Sequence, residues 1–205
     1  MIKICGLVST DDAALVNQFA VDFAGIVLFY PKSKRSRTPE EARSILLALK
    51  PGIKKAAVVV SPSVTEIKTI ESLGFDFIQI HGELSDEVLR CVKLPVLKAF
   101  NVNDLDQFPR FHGCDGIAGY VFDAPQPGSG KTFDLTVLDA LPRDGKLFLL
   151  AGGLTPENVS QAIGRVRPDG VDVSSAVEYT GRIGKDPQKV ADFVRAVKGL
   201  DDVCF

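Results

Sequence analysis

Lys3-Ile4-Cys5-Gly6 opens the chain with an alternating segment that stops on a cysteine and turns at once through a glycine. Three later stretches repeat the design: Ile78-Gln79-Ile80-His81-Gly82, Tyr120-Val121-Phe122-Asp123 and Val171-Asp172-Val173-Ser174-Ser175. Each reads as a strand that ends on a polar residue as it passes into a loop. One scaffold that collects polar residues at the carboxyl ends of many parallel strands is an eight-stranded (β/α)8 barrel, a TIM barrel, whose chemistry sits on that rim. The first expectation is therefore an enzyme.

Working outward, apolar segments fall near residues 2–5, 23–29, 55–60, 77–81, 96–100, 117–123, 148–151 and 170–173. Helix-start signals lie between them. Thr38-Pro39-Glu40-Glu41 is a capping box with proline at the first helical position, and Ser63 with Glu66 repeats the spacing. Thr155-Pro156-Glu157 and Asp186-Pro187 add two more starts, and Lys198-Gly199 closes the last helix. Alternating strands and helices imply right-handed crossovers and a parallel sheet. An open doubly wound sheet is the rival, but its Gly-x-Gly-x-x-Gly turn is absent after the first strand. Eight units in one domain of 205 residues, with about 25 residues to each, favour closure.

Side chains alternate across a strand, so Lys3 and Cys5 share one face and Ile2 and Ile4 the other. By the same parity Gln79 and His81 oppose Ile78 and Ile80, Lys98 opposes Leu97 and Ala99, and Asp172 opposes Val171 and Val173. If the apolar parity faces the helices, these polar residues point into the barrel. The first and last strands become neighbours on closure, so Lys3 and Asp172 are expected to pair. Burying charge is costly unless it is compensated, which marks this interior as a site.

Composition narrows the function. A formal charge of −2 and 45% hydrophobic residues describe an ordinary globular protein and argue against a general nucleic-acid or membrane-surface binder. The basic run at residues 32–37 is too short for a nucleic-acid footprint. No stretch approaches the ~20 apolar residues of a membrane-spanning helix. Met1-Ile2-Lys3 leads directly into a strand, with no signal peptide expected ahead of it. Cys5, Cys91, Cys114 and Cys204 are scattered without a Cys-x-x-Cys pair, so neither a disulfide framework nor a metal site is expected. A cytoplasmic monomer is the default reading, since no extra apolar surface stands out.

Gly128-Ser129-Gly130-Lys131-Thr132 invites comparison with a nucleotide-binding P-loop, but Pro125 occupies the position of its first glycine. A glycine-rich lid is the better reading. Ala151-Gly152-Gly153-Leu154 and Ser174-Ser175-Ala176-Val177-Glu178 carry a stronger signal, because small residues let backbone N–H groups approach an anion. In α/β barrels the loops after the seventh and eighth strands are the frequent phosphate site. The bland alternative is two tight turns. Cys5 is on base rates a small buried hydrophobe; its strand-end position and nearby Lys3, which should lower the thiol pKa, favour function. Asp123 ends an apolar strand, where an uncompensated carboxylate destabilises. His81 reads equally as a strand cap, and His112 as a surface residue.

Taken together, Lys3-Ile4-Cys5-Gly6, the run from Phe29 to Arg35, Gln79-Ile80-His81-Gly82, the run from Gly128 to Asp134, the run from Ala151 to Val159 and Val171-Asp172-Val173-Ser174-Ser175 resemble the phosphoribosylanthranilate isomerase family. The resemblance spans the chain, and it implies a (β/α)8 barrel that performs an Amadori rearrangement of a phosphorylated small molecule in tryptophan synthesis without a cofactor. It also implies Asp123 as general acid, Cys5 as general base and Arg35 as the ligand of the anthranilate carboxylate. Gly152, Gly153, Ser174 and Ser175 would hold the phosphate, and His81 and Asp172 join the substrate-binding residues. Three positions depart from the usual pattern: Ser36 after the loop arginine, Ala176 in place of glycine, and Ser61 in place of asparagine. Two other functions compete with this one. The related histidine-pathway isomerase usually carries carboxylates as both acid and base and needs a second anion loop. A non-catalytic sugar-phosphate-binding barrel need not retain both Cys5 and Asp123.

Overall fold

The computed structural model describes residues 1–124 and 134–199. Nine parallel strands follow in chain order: β1 (Ile2–Cys5), β2 (Phe23–Leu28), β3 (Ser36–Arg37), β4 (Lys54–Val60), β5 (Phe77–His81), β6 (Val96–Asn101), β7 (Ile117–Asp123), β8 (Leu147–Leu150) and β9 (Gly170–Val173). Their spatial order is β1-β9-β8-β7-β6-β5-β4-β2-β3, and β1 also pairs with β2. That extra pairing closes eight strands into a barrel and leaves the two-residue β3 as an appendage on β2. The eight expected strands are all present; β3 was not foreseen.

The α-helices are α1 (Thr10–Val16), α2 (Pro39–Ala48), α3 (Val64–Glu71), α4 (Asp86–Cys91), α5 (Phe108–Phe111), α6 (Val159–Val166) and α7 (Pro187–Lys198). Both predicted capping boxes form: Thr38 with Glu41 opens α2 and Ser63 with Glu66 opens α3. Each satisfies two otherwise orphaned N–H groups and is worth about 1 kcal/mol. Asp186 caps α7, and Gly199 ends it at φ 84°. Thr155-Pro156 does not start α6. The helix begins three residues later because Asn158 folds back, accepting from Thr155 N at 2.8 Å and donating to Gly153 O at 2.9 Å. That interaction spends the segment on a turn that fixes the loop after β8.

The main apolar core lies between barrel and helices and contains Ile4, Ile78, Ile80, Val171 and Val173, as parity predicts. Burying one such side chain contributes roughly 1.5–3 kcal/mol. Cover is thin over β6–β8, where α5 has four residues and short 3₁₀ turns stand at Val102–Gln107 and Leu135–Leu138. Aromatic side chains fill that layer instead: Phe108 meets Tyr120 at 5.0 Å between ring centroids, and Phe122 meets Phe148 at 4.3 Å. Rings bury enough area each to replace a missing helix turn.

Inside the barrel the floor is apolar. Leu97, Ala99, Val121, Leu149 and Ala151 form a second cluster, and Phe23 meets Phe77 edge-on at 5.3 Å. Leu97 and Ala99 therefore face inward and Lys98 outward, contrary to the expectation that polar residues share the interior. The reason is register: Leu97 pairs with Gln79 and Ala99 with Val121, so apolar residues complete the interior on this side. Lys98 is buried among rings, its Nζ 4.5 Å from the Phe100 centroid and 5.5 Å from Phe111, donating to Ala99 O at 2.6 Å.

Burial pulls the Lys98 pKa down to about 8. The folded state thus penalises a proton that the unfolded chain holds up to roughly pH 10.4, so wild-type stability should rise as pH climbs from about 8. Lys98→Met should gain stability relative to wild type at pH 7, and the advantage should shrink at pH 9.5. Urea midpoints at the two pH values check this; an advantage that is equal or larger at pH 9.5 would contradict it.

Candidate active site

The carboxyl ends of the strands surround one cavity of about 590 Å³, the size range of a small-molecule site. Cys5, His81, Asp123, Asp172, Ser174 and Ser175 line it, together with Arg35, Gly152 and Gly153. Every site residue inferred from the sequence therefore meets at one mouth. The proposed lid at Gly128–Thr132 lies outside the described residues, as does Cys204.

One tier below the mouth, Lys3 Nζ donates to Asp172 Oδ2 at 2.8 Å, across the seam where β1 pairs with β9. Burial pulls against the Lys3 charge, but Asp172 and Cys5 outweigh it and hold its pKa above the ordinary value. Asp172 Oδ1 and Gln79 Oε1 are buried acceptors without a partner among the described residues. Gln79 Nε2 lies 2.9 Å from His81 Nε2. Burial, with the Lys3 and Lys98 charges, drives the His81 pKa down to about 3. His81 is thus a neutral polar contact and carries no charge for binding an anion.

Cys5 stands above Gly25 of β2. A Cβ on Gly25 would lie 3.0 Å from Cys5 Sγ and 3.1 Å from Lys3 Nζ. The bare backbone gives both groups room. Burial raises the Cys5 pKa, and Lys3 only partly offsets it. The sequence-based expectation of a lowered thiol pKa is therefore corrected: adjacency supplied the cation, but the depth of the barrel costs the thiolate more. Asp123, at the end of β7, is also pushed up by burial, to about 6, against a hydrogen bond from Ala124 N at 2.7 Å. A carboxyl group titrating near neutrality can deliver a proton. Beside it, a Cβ on Gly152 would lie 2.3 Å from Ala124 N; with φ at 87°, that position admits only glycine.

Arg35 comes in on the loop after β2. Its stem crosses Gly6, where a Cβ would sit 2.6 Å from Arg35 Cδ. Its Nε donates to Glu178 Oε1, and Nη2 donates to Glu178 Oε2 at 3.1 Å. Lys34 reaches the same carboxylate at 3.0 Å and buried Lys185 at 3.4 Å. Burial opposes the Glu178 charge, but bonds from Arg35 and Lys34 and the Lys185 charge pull its pKa down to about 2. Arg37 turns away, bonding Lys34 O at 2.9 Å and Glu41 at 3.4 Å, so Arg35 and not Arg37 faces the cavity. Ala176 sits in a short 3₁₀ turn without a positive φ, so it strains nothing. Ser61 does adopt φ 47°, a conformation that asparagine tolerates better. Sequence reasoning passed over Gly25, Lys185, the contact of Gly6 with the Arg35 stem and the role of Glu178. A glycine inside a strand was the one available sign, since it often marks a close approach.

Among the described residues, no group of three or more His, Cys, Asp or Glu is placed to hold a metal ion, and no helix is long and apolar enough to cross a membrane.

A closed parallel barrel that gathers a thiol, a carboxyl group and small-residue loops at the carboxyl ends of its strands has the architecture of a TIM-barrel enzyme. Residues 2–196 match the family model for N-(5'phosphoribosyl)anthranilate (PRA) isomerase. The chain is 39% identical to the N-(5'-phosphoribosyl)anthranilate isomerase of Geotalea uraniireducens, over 97% of this chain and 98% of that one. The crystal structure of the Thermus thermophilus phosphoribosyl anthranilate isomerase aligns with a TM-score of 0.85 at 28% identity, covering 97% of this chain and 98% of that one. A phosphoribosyl anthranilate isomerase in complex with reduced 1-(o-carboxyphenylamino)-1-deoxyribulose 5-phosphate aligns at 0.77 with 32% identity, covering 96% and 97%. The chain belongs to the phosphoribosylanthranilate isomerase family.

The packing around Gly25 yields a direct expectation. Gly25→Ala should displace Cys5 Sγ and Lys3 Nζ by a few tenths of an ångström and lower kcat by roughly tenfold in a protein whose circular dichroism is unchanged. Wild-type kcat in that variant would show that the thiol position does not matter.

Proposed function

We propose that Cys5 is the general base and Asp123 the general acid of the reaction this isomerase catalyses, the Amadori rearrangement of N-(5-phosphoribosyl)anthranilate to 1-(2-carboxyphenylamino)-1-deoxyribulose 5-phosphate in tryptophan biosynthesis. The observation that carries the assignment is the meeting of a thiol and a carboxyl group titrating near 6 in one cavity, on β1 and β7. Asp123 gives its proton to the furanose ring oxygen as the C1–O bond breaks, and the anthranilate nitrogen supplies electrons to form a Schiff base. Cys5, as thiolate, takes the proton from C2. The electrons of that C–H bond form the enolamine, which tautomerises to the ketone.

The remaining roles follow from what each group offers. Asp172 Oδ1 and Gln79 Oε1 are acceptors without donors among the described residues, suited to ribose hydroxyls, because an unsatisfied buried acceptor costs about 1–3 kcal/mol until it finds one. His81, uncharged, offers a hydrogen bond without competing for anions. Gly152, Gly153, Ser174 and Ser175 present little side-chain bulk on the rim of β8 and β9, where backbone N–H groups suit a phosphate. Arg35 supplies a planar fork for the anthranilate carboxylate. The neighbour solved with the reduced phosphorylated compound supports a ligand of this class.

Steady-state kinetics of Cys5→Ser and Asp123→Asn test the assignment. Each should lower kcat by ~10²–10⁴ with little change in KM, the mark of groups that act mainly in the transition state. Asp123 also has a raised pKa in the fold, so its charge destabilises the native state at pH 7 and that cost disappears as pH falls below the unfolded value near roughly 3.9. Asp123→Asn should therefore be more stable than wild type at pH 7 and lose that advantage towards pH 3.5. Near wild-type kcat in folded Asp123→Asn would remove Asp123 from the mechanism.

A further inference from the structure

Glu178 lies behind Arg35 rather than in the cavity wall, and nothing in the reaction requires it to touch substrate. It is nonetheless buried, with relative exposure 7%, and fixed by five neighbours. Its backbone N donates to Ser175 O at 3.1 Å, its carbonyl accepts from Lys189 Nζ at 2.8 Å, and its carboxylate meets Lys185 and both loop cations. Lys185 is itself held by Ser174 O at 3.1 Å, and its backbone N donates to Asp12 Oδ1 at 2.8 Å. The carboxylate therefore stands just past the 3₁₀ turn that follows β9, tied down by its own backbone and by Lys185, whereas Arg35 arrives on the loop between β2 and β3.

A guanidinium has two forked edges, and a carboxylate can take either of them. Glu178 takes the Nε–Nη2 edge, and Nη1 makes no hydrogen bond among the described residues. Gly6 leaves the groove along which the arginine stem runs to this partner. We propose that Glu178 is a positioning residue: by holding the Nε–Nη2 edge of Arg35 it presents the Nη1–Nη2 edge, preorganised, to the aryl carboxylate of the substrate. The proposal rests on the assignment of Arg35 to that carboxylate. It adds that the recognising fork is set by the segment that follows β9, so the substrate need not orient the guanidinium as it binds.

A double-mutant cycle tests this, with Arg35→Ala, Glu178→Gln and the pair, each assayed for KM and kcat and for inhibition by inorganic phosphate. Arg35→Ala should raise KM roughly 10–100-fold, the loss of a charged hydrogen-bonding partner. Glu178→Gln should raise KM about tenfold, lower kcat by less, and leave phosphate inhibition unchanged. The double variant should bind no worse than Arg35→Ala alone, since without the arginine there is nothing left to orient. An unchanged KM in Glu178→Gln, an effect that adds in full to that of Arg35→Ala, or a parallel loss of phosphate inhibition would each overturn the positioning role. An unchanged KM in Arg35→Ala would instead overturn the carboxylate assignment beneath it. If Glu178→Gln does not fold, Glu178→Asp carries the test. Its shorter stem draws the guanidinium back and should raise KM with phosphate inhibition intact; weakening of both together would contradict the proposal.

Discussion

The ion pair between Lys3 and Asp172 is the constraint around which the rest of this barrel is organised. It joins the first and last strands at the seam, with Nζ and Oδ2 2.8 Å apart and both groups buried. Pairs of this kind are weak sources of net stability, because desolvation consumes most of the attraction, yet removing one partner leaves a buried charge that costs roughly 3–5 kcal/mol. What the pair fixes is register. Lys3 opposite Asp172 places Cys5 and Ser174 two residues further along their strands, on the same face and at the same mouth. A slip of one residue would put Ile4 inside and Cys5 against the helices.

Burial sets the chemistry of the mouth, and it acts in the same direction on Cys5 and Asp123. Asp123 is raised to about 6, and Cys5 is raised as well despite the lysine below it. For an acid this is an advantage, since the carboxyl keeps its proton nearer to neutral pH. For a base it means that the thiolate is scarce but strongly basic when formed, and Lys3 is the group that keeps it within reach. Asp123 costs the fold stability for the same reason that, in the role proposed for it, it would hold a proton to give. This is the exchange of stability for activity that perturbed titratable groups mark in many active sites.

Much of this was legible in the chain. Strand-end polar residues at Cys5, His81, Asp123 and Ser174, together with period-two alternation, predicted closure, the mouth and the Lys3–Asp172 pair. The capping boxes at Thr38 and Ser63 were legible because they are local, satisfied within four residues of chain. What escaped was tertiary. Parity cannot tell inside from outside, so Lys98 was placed in the interior, while the register of β6 against β5 and β7 turns it towards Phe100 and Phe111. The sign of the Cys5 shift depends on depth, which two neighbouring letters do not encode. Asn158 took the segment at Thr155 for a turn, and Glu178 met Arg35 across 143 residues of sequence.

The account rests most heavily on burial raising the Asp123 carboxyl group into the range where it can serve as an acid. A carbon-13 NMR titration of the Asp123 side-chain carboxyl in the ligand-free protein, assigned by its loss in Asp123→Asn, measures this without interference from the phosphate of the substrate. The midpoint should fall at about 6. A midpoint near the ordinary aspartate value of roughly 3.9 would show that the mouth is wetter than its packing implies, and the acid would have to be sought elsewhere.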